Sequence, residues 1–157
     1  MKASAEWLGD TQYKGRSESN HTLLFDTDAA HTQGPSPMEA VLTALCACTS
    51  VDVVGILAKK RQPLGSLLVS AEAEQASEAP RVFTRIHVTY TVGAPQHGVM
   101  PSRKAVEDAV ALSKEKYCSV SIMLQEAVEI TSSIAYLDPP EDELADEASA
   151  DEGGGGD

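Results

Sequence analysis

Apolar and polar positions alternate most regularly in RVFTRIHVTYTVG, where Val82, Thr84, Ile86, Val88, Tyr90 and Val92 fall on one face. A period of two predicts a strand with one buried side. SLLVSAEAEQ alternates as well, with Leu68, Ser70, Glu72 and Glu74 set against Val69, Ala71 and Ala73. The intervening EAP at residues 78–80 supports a hairpin between the two. Near the N-terminus, residues 3–27 read as two strands. AEWLG and QYKGRSE come first, with a Gly-Asp turn signal at Gly9–Asp10, and HTLLFD follows. EITSSIAYL reads as a last strand.

Elsewhere the apolar period is that of a helix. After the loop DTDAAHTQGPSP, Ser36 is a good N-cap, Pro37 suits the first helical position, and Glu39 stands three residues after the cap. This is a capping box: the serine oxygen takes the Glu39 amide and the carboxylate returns to the Ser36 amide. The helix runs to about residue 60, roughly six or seven turns, and Lys59, Lys60 and Arg61 close it as the helix dipole favours. Its first half is apolar nearly all round, which predicts burial in a core or at a subunit interface. A second helix is expected over residues 102–117, with Val106, Ala109, Val110 and Ser113 at helical spacing. A short third helix, 119–127, follows a break at Cys118. The order β-β-α-β-β-α-α-β, with its hairpins, predicts antiparallel sheets and an α+β fold.

Composition adds a boundary. The 157 residues carry a net charge of −12, yet nine of the 24 acidic residues and none of the 12 Lys/Arg lie from Asp138 onward. Residues 1–137 are therefore expected to form one domain of nearly balanced charge, and 138–157 an acidic, Gly-rich disordered tail. No basic stripe is present, so a nucleic-acid partner is not expected. MKASAEWLGDTQYKG lacks the apolar stretch of a signal peptide, and residues 38–57 are interrupted by Glu39, Asp52 and several Ser and Thr. A cytoplasmic protein with no membrane span is the expectation, and three cysteines in that setting do not suggest a disulfide scaffold.

Chemistry narrows to the thiols. His21, His31, His87 and His97 are scattered without paired spacing. Cys46 and Cys48 are two residues apart on a helix, about 200° around its axis, so they cannot clamp one metal together. No metal site and no cofactor are expected, since Gly-x-Gly-x-x-Gly, Walker and Gly-x-Ser-x-Gly elements are all missing. Attack by a thiol requires the thiolate. Mid-helix burial opposes that at Cys46 and Cys48, whereas a helix N-terminus at Cys118 favours it. Inert, buried thiols remain the bland reading of all three.

Two stretches carry a family resemblance. SPMEAVLTALCAC, in a long helix after a short-stranded start, resembles the central helix of the OsmC/organic hydroperoxide resistance family, and EKYCSVSIML resembles its second cysteine segment. The resemblance covers roughly residues 7–137 and is nearest to an OsmC-like subgroup with K-Y-C-S-V-S. It implies an intertwined homodimer with antiparallel sheets around long buried central helices. It also implies thiol-dependent reduction of organic hydroperoxides, with Cys48 peroxidatic, Cys118 resolving, and a dithiol such as a lipoyl group as reductant. Cys46 is then a packing residue. Family peroxidases also use an arginine from the N-terminal strands, for which Arg16 is the candidate, and a glutamate at the helix start. Here the chain departs: Met38 follows Pro37, and the acid is Glu39, nine residues before Cys48 and so about 180° away. The departure keeps a second reading open, an OsmC-like protein without peroxidase turnover that acts as a redox sensor or small-ligand binder.

Overall fold

The computed structural model describes residues 1–137; the expected tail at 138–157 lies outside the described residues. The chain divides into two compact units, Met1–Ala47 and the residues from Cys48 onward.

The first unit holds an antiparallel sheet of β1 (Ala3–Gly9), β2 (Gln12–Ser17) and β3 (Thr22–Asp26), in that order. The sequence reading of two strands is corrected to three. The Gly9–Asp10 signal is a full reversal, with both residues at positive φ (114° and 47°), so AEWLG and QYKGRSE pair with each other. Asp26, buried at the end of β3, organises the next loop: its carboxylate accepts from the Thr11 hydroxyl at 2.8 Å and from the Asp28 and Gln33 amides at 2.9 and 3.2 Å. Helix α1 (Pro37–Lys59) then starts with the expected capping box. The Ser36 amide donates to the Glu39 carboxylate at 2.6 Å and the Glu39 amide to the Ser36 hydroxyl at 3.2 Å. These bonds satisfy two amides that the first turn leaves without helical partners.

The second unit contains the rest of α1, then β4 (Ser66–Gln75), β5 (Phe83–Gly93), α2 (Arg103–Leu112), α3 (Ser119–Gln125) and β6 (Glu129–Tyr136). A π-helical turn, Ser113–Tyr117, joins α2 to α3. The sheet order is β4-β5-β6. β4 and β5 form the expected hairpin, but β6 pairs with β5 in parallel, which corrects the expectation of wholly antiparallel sheets. The physical reason is the connection: a crossover through two helices carries the chain back to the starting end, as no short turn can. The inward face of β5 also differs at one end. Glu74 pairs with Arg85 while Gln75 pairs with Phe83, so β5 holds a one-residue bulge at Thr84. A bulge inverts the alternation. Phe83, rather than Thr84, is therefore buried with Ile86, Val88, Tyr90 and Val92.

α1 is long and apolar enough to span a bilayer by composition alone. Within this chain its burial is one-sided. Leu45, Thr49, Val53 and Leu57 recur every four residues and are all buried, a stripe along one helix face. Val51 and Val54 stay 72% and 44% exposed. At the C-terminal end, Lys60 donates to Asp108 on α2 at 2.8 Å, and Lys104 adds a second bond at 3.2 Å.

Candidate redox-active thiol site

The second unit brings together two of the cysteines that the sequence singled out. The sulfurs of Cys48 on α1 and Cys118 before α3 and a carboxylate oxygen of Asp52 all lie within 4.8 Å of one another. Cys48 and Asp52 share a helix face because they are four residues apart. Cys118 is placed by the π-turn. Its amide donates to the Ser113 carbonyl at 2.8 Å, a five-residue span that ends the turn and leaves Cys118 in an extended conformation as the N-cap of α3. A single π-turn inside a helical run often marks a functional site.

A chain of hydroxyls holds Asp52. Ser113 Oγ donates to Asp52 Oδ2 at 3.1 Å. Thr49 Oγ1 is 2.8 Å from Ser113 Oγ, and the Tyr90 hydroxyl is 2.7 Å from Thr49 Oγ1. The direction of this chain follows from proton counting. An ionised carboxylate can only accept, so Ser113 gives it its single proton. Thr49 must then donate to Ser113, and Tyr90 to Thr49. Thr49, Tyr90 and Ser113 are buried, so each bond also prevents the cost of an unsatisfied interior hydroxyl.

Cys118 is wholly buried, and Cys48 is half-buried. Burial pushes the Cys118 thiol up from an ordinary 9.0 to about 11; the Cys48 sulfur and the Asp52 carboxylate push the same way, while the Ser121 amide, donating to Sγ at 3.4 Å, pulls down without prevailing. The expectation that a helix start would make Cys118 the more acidic thiol is therefore corrected: desolvation outweighs one amide. Burial also raises the Cys46 thiol, as expected for a mid-helix cysteine.

The remaining site candidates belong to the first unit. Arg16 is exposed on β2, opposite Ser4 on β1 and Thr22 on β3. The Glu39 carboxylate is held by Ser36, whose amide and hydroxyl keep it below the usual carboxylate range. Sequence reasoning missed Asp52, Thr49, Ser113 and Tyr90. Only Asp52 has a local signal, its four-residue spacing from Cys48.

Residues 30–133, most of the described chain, match the family model described as OsmC-like protein. The chain belongs to the OsmC-like family. Among OsmC-like relatives, protein YhfA of Escherichia coli strain K12 is 42% identical over 133 residues, covering 85% of this chain and 96% of YhfA. An OsmC-like protein from Mycoplasma pneumoniae superposes with a TM-score of 0.74 at 17% identity, covering 87% of this chain and 96% of that one. An organic hydroperoxide resistance protein from Legionella pneumophila gives a TM-score of 0.62 at 14% identity, covering 85% and 95%. At such identities these two structures establish the shared OsmC-like α+β fold alone.

Proposed function

We propose that this OsmC-like protein is a cytoplasmic, homodimeric thiol peroxidase that reduces organic hydroperoxides through Cys48 and Cys118. The observation that carries the reading is the approach of those two sulfurs to within 4.8 Å, from which side-chain rotation can reach a disulfide bond of about 2.05 Å. The Cys48 thiolate attacks the outer oxygen of the hydroperoxide. An S–O bond forms, the O–O bond breaks, and the alcohol leaves after taking a proton, so that sulfur is oxidised to sulfenic acid as the peroxide is reduced. Cys118 then attacks that sulfur. The S–S bond forms, the S–O bond breaks, and water leaves. A dithiol such as a lipoyl group restores both thiols by two exchange steps and departs as its own disulfide.

Three features support this assignment. A groove of about 490 Å³ is lined by Val51, Asp52, Gly55, Ile56, Leu112 and Tyr117 together with Lys59 and Lys60; its apolar wall residues suit an organic peroxide. The exposed Val51 and Val54 give α1 an apolar face for a second copy of the chain. None of the three cysteines is joined in a disulfide, which suits a reducing compartment. The Asp52 carboxylate opposes ionisation of the Cys118 thiol. A cation is needed to offset it, and Arg16 is the residue that the family resemblance offers. Glu39 is assigned to the helix cap.

Stopped-flow mixing of the reduced protein with cumene hydroperoxide tests the reading. Thiol loss at Cys48 much faster than for free cysteine supports it, and loss no faster than free cysteine overturns it. A Cys48–Cys118 disulfide that forms without turnover under a lipoyl dithiol favours the sensor, the reading that the Met38 departure keeps in view. Sedimentation velocity checks the assembly: the dimer is expected for the wild type and its loss for Val51→Glu.

A further inference from the structure

We propose that Cys48, Cys118 and Asp52 form a binding site for one thiophilic divalent cation of the zinc type. Two sulfurs and one carboxylate oxygen, from two segments of the chain, converge within 4.8 Å. Tetrahedral zinc with Zn–S near 2.3 Å and Zn–O near 2.1 Å needs sulfurs about 3.8 Å apart and sulfur–oxygen distances about 3.6 Å. From 4.8 Å at most, the side chains need to close by no more than about an ångström for the metal, against up to nearly 3 Å for a disulfide. The preformed geometry thus lies nearer to a metal-bound state than to the oxidised one.

The surroundings fit as well. Ser113 engages Asp52 Oδ2 from behind, and the Thr49–Tyr90 relay fixes Ser113 in turn. Orientation of a ligand by an outer hydrogen bond is the usual support of a metal site. It leaves lone pairs on the Asp52 carboxylate for a metal. Cys118 is closed off from solvent, whereas Cys48 and Asp52 are half-exposed, so the fourth position faces outward and takes water. Binding displaces two thiol protons. The two thiolates and the carboxylate then place −3 around a +2 ion. The helical pair at positions i and i+4 plus one distant residue is a ligand spacing that scattered histidines and the Cys46–Cys48 pair do not provide. A bound ion draws on the thiolate charge with which Cys48 would attack a peroxide and lowers its nucleophilicity, so it caps the thiol pair.

The test uses Co²⁺ as a spectroscopic probe on the reduced, metal-free, full-length protein under argon. The expected result is one equivalent of Co²⁺ bound, with intense tetrahedral visible bands and a thiolate-to-cobalt charge-transfer band, both lost on adding Zn²⁺. Cys46→Ser keeps the spectrum. Cys48→Ser and Cys118→Ser each remove about half of the charge-transfer intensity, and Asp52→Asn weakens binding about 10-fold or more. Prior oxidation of the wild type by diamide abolishes the signal without any substitution. The proposal is overturned if stoichiometric Co²⁺ gives no charge-transfer band, or if the full band survives in Cys118→Ser. The readout needs no peroxide, so failure of the peroxidase reading leaves it unaffected.

Discussion

The start and the middle of α1 use the same kinds of side chain in different ways. At the start, a hydroxyl and a carboxylate three residues apart, Ser36 and Glu39, satisfy each other's backbone amides. In the middle, the hydroxyl Thr49 and the carboxylate Asp52, also three residues apart, do not meet directly. Ser113 bridges them from the end of α2, and Tyr90 extends the network from β5. The first pair stabilises a helix by purely local geometry. The second joins three elements of the second unit and sets a carboxylate beside two thiols. An acid near the helix start was the expected partner of Cys48, but the acid that reaches Cys48 lies one turn beyond it.

The sharpest way to break this contrast is to remove the thiol. Cys48→Ser is expected to lower the rate of cumene hydroperoxide reduction by more than about 100-fold, with Cys46→Ser near wild type in the same stopped-flow assay. Next in size is the difference between buried and exposed thiols. With its pKa pushed up to about 11, Cys118 should react with iodoacetamide at pH 8 about 100-fold more slowly than an ordinary exposed cysteine. Mass-spectrometric timing of alkylation checks this, and the rate should climb about tenfold per pH unit until it levels off near pH 11.

Stability effects come after these. Ser113→Ala leaves both the Asp52 carboxylate and the Thr49 hydroxyl short of a partner, and is expected to cost about 1–3 kcal/mol in urea unfolding. Ser36→Ala removes only a local cap and should cost about 1 kcal/mol, without changing the alkylation rate of Cys118. A Ser36→Ala penalty larger than that of Ser113→Ala would reverse the comparison between the two parts of α1. The smallest effect is that of pH on stability. Cys118 holds its proton in the folded state above the pH at which the unfolded chain releases it. Its contribution is therefore full below about pH 9 and is lost as pH rises to about 11. Thermal unfolding should show Tm falling through that window in wild type and less so in Cys118→Ala.

The same contrast explains what was legible in the sequence. The capping box, the break at Cys118 and the two long alternating strands follow from neighbours within a few residues, and all are present. The parallel pairing of β6 and the bulge opposite Glu74–Gln75 are set by pairing between distant segments, which alternation in one strand cannot reveal. At the site, the family resemblance pointed to Cys48 with Cys118, and the geometry places their sulfurs together. The Asp52 relay was missed because its members, Thr49, Asp52, Tyr90 and Ser113, span 64 residues between Thr49 and Ser113 and share no local pattern. The acidity of Cys118 was misjudged for a related reason. The helix start is visible in the sequence, but the burial that overrides it is created by tertiary packing.

Peptide mapping of the protein after one equivalent of cumene hydroperoxide tests the proposed pairing of Cys48 with Cys118. A disulfide joining the peptides of Cys48 and Cys118 is expected, with Cys46 recovered as a thiol. Cys118 recovered as a free thiol, or Cys46 found in the disulfide, would contradict it.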